Sequence, residues 1–249
     1  MAELRIYAIP THLYRYRPLG KKLRRELDAI DRGYIYCPTF SSMNDPMEGS
    51  HRLSLRMLTS AISTTVQTEV LQAQQCLGVA SFSEVFDHEP MWAHYADQFS
   101  GMCVQYNTRR LLKGLPEDID IARMMYSEKE PTILKERQNA NDRAKMTLSS
   151  KTARWASERE WRIFRPQVGR SVYSVPKTAT KIYRGSRVSP DDEEQVRDLC
   201  KRHSITVAIM KIDAYAMQFS SLRRLSSRAR DALESAKAAE EKNGEASRS

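Results

Sequence analysis

The chain has 249 residues, 41% of them hydrophobic and 29% charged, which suits one large domain with a core of its own. No apolar run of about 18 residues occurs, which argues against a membrane-spanning helix, and MAELRIYAIPTH lacks the basic-then-apolar pattern of a secretory leader. The formal charge of +9 favours phosphate-bearing partners, nucleic acid or a nucleotide, and part of the excess is local, with four arginines in residues 220–230.

LRIYAIPTHLYRYRPL reads as extended, punctuated by Pro10 and Pro18. Leu23, Leu27 and Ile30 recur at helical spacing in GKKLRRELDAIDRG, and Gly33 suits the helix stop. YIYCPTF reads as a short strand. SSMNDPMEGS reads as a loop, because Asn44, Asp45 and Pro46 favour a turn. Leu53, Leu55, Leu58, Ile62, Val66, Val70 and Leu71 predict helix over 51–76. GVASFSE predicts a strand. HEPMWAHYADQFSG predicts a short helix with Pro90 in its first turn and Gly101 at its end.

MCVQYN alternates as a strand, TRRLLKGL suits a helical turn, and IARMMYS suits another strand. Residues 127–155, charged throughout, predict one long exposed helix with Pro131 near its start. EWRIFRP, SVYSV and KIYRGSRV read as β structure. SPDDEEQVRDLCKRHS carries a full helix start, with Ser189 as N-cap, Pro190 at the first position and acids in the first turn. ITVAIMKID, β-branched and continuous, predicts a buried strand. Beyond residue 220 the composition turns to Ser, Arg, Ala, Glu and Lys, which predicts a helix fraying into a disordered tail.

Strands and helices mix without a steady βαβ beat, and neither a GxGxxG after a strand nor a P-loop is present. The expectation is an α+β fold with a mixed, largely antiparallel sheet and flanking helices: one domain over 1–219 and a basic tail over 220–249. Cys37, Cys76, Cys103 and Cys200 lie far apart without CxxC or histidine spacing, so neither disulfides nor a structural zinc is expected and the cytoplasm is the default compartment.

LYRYRPL, NDPME, GVASFSE, MWAHYADQFSGMCVQY, WASEREWRI and IYRG occur in that order. This series resembles the bacterial family catalogued as domain of unknown function 2971, over roughly residues 13 to 212. The cysteine usual in the family's CFSE segment is Ser81 here.

Arg15 and Arg17 share a face of an extended segment, Ser81 and Ser83 share a face of a strand, and Glu158 and Glu160 share a face just ahead of one. The order Arg, Ser-x-Ser, Glu-x-Glu resembles the arginine–serine–glutamate class of ADP-ribosyltransferases, which use NAD as substrate. The resemblance implies an ADP-ribosyltransferase-like fold. It also implies an NAD-dependent enzyme, an ADP-ribosyltransferase or an NAD glycohydrolase. Arg15 or Arg17 would grip the pyrophosphate, Glu160 would stabilise the oxocarbenium-like transition state, Ser81 or Ser83 would steady it, and Glu158 would serve the acceptor. Tyr14, Tyr16, Trp92 and Tyr95 are candidates for stacking on nicotinamide or adenine, and His94 for acid–base work.

The basic balance suits a DNA or RNA acceptor, with a protein acceptor the other option, and analogy suggests a toxin or an antiviral phage-conflict setting. Two readings compete. A metal-dependent nuclease would draw on Asp45, Glu48, His94, Glu158 and Glu160. A non-catalytic module would hold an acidic partner through the arginine-rich tail. Plain structural roles compete as well: Arg15 and Arg17 pairing with Glu158 or Glu160, and Met91, Trp92, Tyr95 and Phe99 as core.

Overall fold

A computed structural model describes residues 9–134 and 139–221. The expected tail lies outside the described residues, apart from its first two. In chain order the elements are β1 (His12–Arg17), α1 (Leu23–Asp31), β2 (Tyr34–Cys37), β3 (Arg52–Leu53), α2 (Leu55–Leu58), α3 (Ser63–Cys76), β4 (Gly78–Ser83), α4 (Glu89–Tyr95), β5 (Met102–Asn107) and α5 (Thr108–Gly114). There follow β6 (Asp120–Arg123), β7 (Met125–Tyr126), β8 (Thr132–Ile133), α6 (Ala140–Thr147), β9 (Ser150–Lys151), β10 (Glu160–Arg165), β11 (Gly169–Val172), β12 (Ala179–Arg184), α7 (Pro190–His203), β13 (Thr206–Asp213) and β14 (Ala216–Ser221).

Eight strands form one sheet in the order β14-β13-β12-β5-β1-β4-β10-β6. All neighbours are antiparallel except β12 and β13, whose parallel pairing follows from the crossover through α7. The fold is therefore α+β with a mixed, mostly antiparallel sheet and flanking helices. No helix among the described residues is long and apolar enough to cross a membrane.

Side-chain alternation sorts the sheet into two faces. One carries Leu13, Phe82, Val104, Ile163 and Ile182, packed against Leu23 and Ile30 of α1, Leu111 of α5 and Val196 and Leu199 of α7. The other carries two apolar groups. Tyr16, Cys103, Tyr183 and Met210 pack on Met91 and Trp92 of α4, and Val79 and Phe164 pack on Ala144 and Leu148. Between these two groups the face is polar, and the registers place Ser81 beside Arg162 and Ser83 beside Glu160 there. Each large apolar side chain buried this way contributes about 1.5–3 kcal/mol.

Three expectations change. Residues 127–155 are not one helix: the stretch holds β8, α6, β9 and the start of a 3-10 helix, and among its described residues only Ala140–Thr147 is α-helical. Its charges are not all on a solvated face, since Arg143 and Lys151 are buried. The helical stripe over 51–76 is broken by β3 and the four-residue α2, and only α3 runs on. The strand at Thr206–Asp213 is buried only in part, because its outer neighbour β14 is the edge of the sheet and its last three residues are exposed.

After α4 the chain turns through Asp97, Gln98 and Phe99, all with positive φ, and meets the end of β12 at two glycines. The Gly185 N–H donates to the Gly101 carbonyl at 2.9 Å. A Cβ on Gly185 would stand 2.1 Å from the Phe99 carbonyl oxygen, a backbone atom that cannot swing aside. Gly185→Ala is expected to destabilise the fold by about 1–3 kcal/mol. Differential scanning calorimetry should show a melting point lowered by about 3–10 °C.

Candidate functional site

The site begins with a rung missing from the sheet. The Thr108 N–H donates to Thr11 at 3.1 Å, which points the backbone groups of Tyr14 and Tyr16 away from β5 and towards β4. The Glu84 N–H donates to Arg159 at 3.1 Å, which points those of Ser81 and Ser83 towards β1. Yet the two strands pair only at Tyr14 and Ser83. One step further β4 turns to another partner, the Val79 N–H donating to Pro38 at 2.8 Å. Tyr16 and Ser81 therefore face each other across an opened seam. A cavity of about 180 Å³ lies there, lined from both strands by Tyr14 to Arg17 and Val79 to Phe82, and further by Tyr95, Glu48, Lys151, Glu158, Glu160 and Arg162.

The Glu-x-Glu pair closes one end. Glu158 ends a 3-10 helix, Glu160 opens β10, and exposed Arg159 between them is left-handed at φ 45° and ψ 51°. That turn brings both carboxylates onto the Lys151 ammonium, at 2.8 Å from Glu158 and 3.0 Å from Glu160. The Arg162 guanidinium donates to Glu160 at 2.7 Å, to both Glu48 carboxylate oxygens at 2.7 Å, and to the Leu148 carbonyl at 2.6 Å. All five side chains are buried. Burial pushes the Glu160 carboxyl up, but Arg162 and Lys151 outweigh it and hold the group down at about 2, helped by the Ser81 hydroxyl. Burial likewise opposes the charge on Lys151, and the glutamates more than offset it, so its pKa is raised.

The two arginines of β1 part company. Arg17 is held by Glu26 through two bonds of 2.5 and 2.6 Å. Arg15 is 8% exposed, lies over the Phe82 ring, and donates to the Tyr36 carbonyl at 2.9 Å. Among the described residues no carboxylate pairs with it. Burial and the neighbouring Arg17 charge lower its pKa to about 10, so it remains a cation at neutral pH. The registers set Tyr14, Tyr16, Ser81, Ser83 and Glu160 on one face and Arg15 and Arg17 on the other. They reach one cavity because the seam is open. Neither arginine pairs with Glu158 or Glu160.

Of the remaining candidates, Tyr14, Tyr16 and Tyr95 line the cavity, and the Tyr95 hydroxyl donates to Glu158 at 2.8 Å. Ser83 is buried and steadies Glu158 through the backbone, its hydroxyl donating to the Glu158 carbonyl at 2.7 Å. Two candidates do not belong to the site. Trp92 is fully buried, packs edge-on against Tyr16 at 5.3 Å, and donates to the Phe86 carbonyl, so its ring is core. His94 is exposed beside the Tyr95 and Trp155 rings and lines no wall of the cavity. Glu48 reaches the site as its loop position allowed, whereas Asp45 accepts from the Met47 N–H and shapes the turn.

Sequence reasoning missed Lys151, Arg162 and Tyr126, whose hydroxyl accepts the Glu160 N–H at 2.8 Å. Arg162 had a readable signal: two residues beyond Glu160 on a strand, it had to share that face. Lys151 and Tyr126 sit on two-residue strands too short to show a period.

Removing Arg162 would leave Glu48 and Glu160 buried without their strongest partner. Arg162→Met is expected to cost about 3–5 kcal/mol in urea denaturation. Glu160 also fixes a pH dependence. Because its folded pKa is depressed, its contribution is complete above the usual glutamate value of 4.5 and is lost as pH falls towards about 2. The urea midpoint should fall across that window, with a shallower fall in Glu160→Gln.

Residues 91–163 match the model of a family described as Protein of unknown function (DUF2971), a stretch that runs from α4 into β10 and includes Tyr95, Lys151, Glu158, Glu160 and Arg162. No curated protein and no solved structure matches the chain. Over α4 to β10 the chain is thus similar to the DUF2971 family.

Proposed function

We propose that the protein is an NAD-consuming enzyme of ADP-ribosyltransferase type, working at the seam between β1 and β4. The observation that carries this reading is convergence: Arg15, the backbone of Tyr16, Ser81, Glu158 and Glu160 all border one cavity. A carboxamide has one donor edge and one acceptor edge, and the Tyr16 N–H and C=O, turned into the seam, offer the complement. Tyr14 and Tyr95 supply ring surface for the nicotinamide. Arg15, a buried guanidinium with no carboxylate partner among the described residues, suits the pyrophosphate, whereas Arg17 is already committed to Glu26.

In the reaction the bond between the ribose C1′ and the nicotinamide nitrogen breaks, and its electron pair stays with nicotinamide, which leaves neutral. C1′ becomes cationic, and ionised Glu160, steadied by Ser81, stabilises it. An acceptor hydroxyl or water forms the new C1′–O bond and gives up its proton to solvent or to Glu158. With water the product is ADP-ribose, and with another acceptor it is an ADP-ribosylated molecule. The charge of +9 suits DNA or RNA as that acceptor, and a protein acceptor is the other option. A role as a toxin or in antiviral defence is the setting such chemistry suits.

The nuclease reading has less support. Among the described residues no group of three or more His, Cys, Asp or Glu is arranged to hold a metal ion. The point where Glu48, Glu158 and Glu160 meet is filled by the Lys151 ammonium.

The test is nicotinamide release from NAD by the purified protein, with and without DNA or RNA. Glu160→Gln should lower kcat about 10²- to 10³-fold with little change in KM. Arg15→Met should raise KM about tenfold. Ser81→Ala, the mildest change, should retain the wild-type melting point and lose part of kcat. Equal release by wild type and a folded Glu160→Gln, or no release by wild type under any condition, would overturn the reading.

A further inference from the structure

Lys151 has no place in the expected motif, yet it touches every acid of the site. The main chain aims it. The Met125 N–H donates to Ser149 at 2.8 Å and the Ser127 N–H donates to Lys151 at 3.0 Å, which clamps β9 to β7 on both sides of the side chain. Its ammonium stands 2.8 Å from Glu158, 3.0 Å from Glu160 and 3.6 Å from Glu48.

Among the described residues the charged and titratable groups around it can be named. Glu48 approaches from the loop after β2, Glu158 from the 3-10 helix, Glu160 and Arg162 from β10, Tyr95 from α4 and Tyr126 from β7. The Trp155 ring covers it at 4.9 Å. Arg162 serves Glu48 and Glu160 but does not reach Glu158. The other hydrogen bond to the Glu158 carboxylate comes from the uncharged Tyr95 hydroxyl. Lys151 is therefore the cation common to both members of the Glu-x-Glu pair.

We propose that Lys151 is the positioning residue of the site, holding Glu158 and Glu160 side by side as one unit so that the first faces the acceptor while the second faces the ribose. The division of labour between the two glutamates rests on the NAD-cleaving reading, and the clamp itself does not. Two buried carboxylates with no cation between them repel, and one of them then takes up a proton. Lys151→Gln keeps a hydrogen-bond donor and removes the charge, so protonation should begin at higher pH. The activity that needs both carboxylates would then fail on the acid side well before that of wild type.

The experiment pairs two readouts on the full chain. One is the pH profile of nicotinamide release for wild type, Lys151→Gln and Lys151→Arg. The other is the titration of the glutamate side-chain carboxyl carbons by NMR in the same proteins. Lys151→Gln should move the acid limb and the Glu160 midpoint up by at least ~1 pH unit, a tenfold change in protonation, and Lys151→Arg should restore much of the wild-type profile. An unmoved midpoint in a folded Lys151→Gln overturns the clamp while leaving the NAD reading intact. Absent nicotinamide release with a midpoint that still moves overturns the NAD reading and keeps the clamp. Should Lys151→Gln not fold, wild type alone decides. The Lys151 ammonium resonance must shift in the same step in which Glu160 takes up its proton, and an independent titration overturns the proposal.

Discussion

Five buried charges, those of Glu48, Lys151, Glu158, Glu160 and Arg162, decide where four separate pieces of chain come to rest. Taking such ions out of water costs several kcal/mol each, and apolar residues of similar size would often be as stable. The network is thus hard to understand as a device for stability alone. It does fix geometry. The loop after β2, the two-residue β9, the 3-10 helix and the start of β10 are tied together by short bonds in which each cation is shared among several carboxylates. Three carboxylates against two cations also leave one unit of negative charge in the cluster, which favours a neighbouring group that becomes positive.

The sequence disclosed the fold best where local signals were complete. α7 begins where Ser189 predicts, its hydroxyl accepting from the Asp192 N–H at 3.2 Å, and MCVQYN and EWRIFRP, read as strands, are β5 and β10. It misled where charge stood in for exposure. The stretch 127–155 reads as a solvated helix because nothing local tells an inward lysine from an outward one. Lys151 points inward only because Glu158 and Glu160 arrive beside it. β14 escaped notice for a related reason, since an edge strand with exposed residues carries little hydrophobic pattern.

The site was legible in its members more than in its wiring. Arg15, Arg17, Ser81, Glu158 and Glu160 do border one cavity. What could not be read is which arginine remains available. Glu26 lies on α1, and only the packing of that helix against β1 hands it to Arg17. Nor could the two faces be read. Spacing of two in each motif says that its residues share a face, but it is silent on whether separate motifs share the same one. The strand registers put the arginines opposite the serines and Glu160, and an intact ladder between β1 and β4 would have kept them apart.

The missing rung is what turns that opposition into a site. β1 is fully paired on its β5 side, and β4 is fully paired with β10 and held by Pro38 at its start, so neither strand needs the other beyond Tyr14 and Ser83. Leaving a backbone donor or acceptor without a partner in a buried place costs about 1–3 kcal/mol. A ligand that offers its own donor and acceptor in the plane of the sheet recovers part of that cost when it binds. The same ligand lies where both faces are within reach, with the Arg15 guanidinium on one side and the ionised Glu160 carboxylate on the other. A phosphate and a developing cation joined by a ribose have that spacing of opposite charges, so one gap in a hydrogen-bond ladder accounts for both the recognition and the chemistry proposed here.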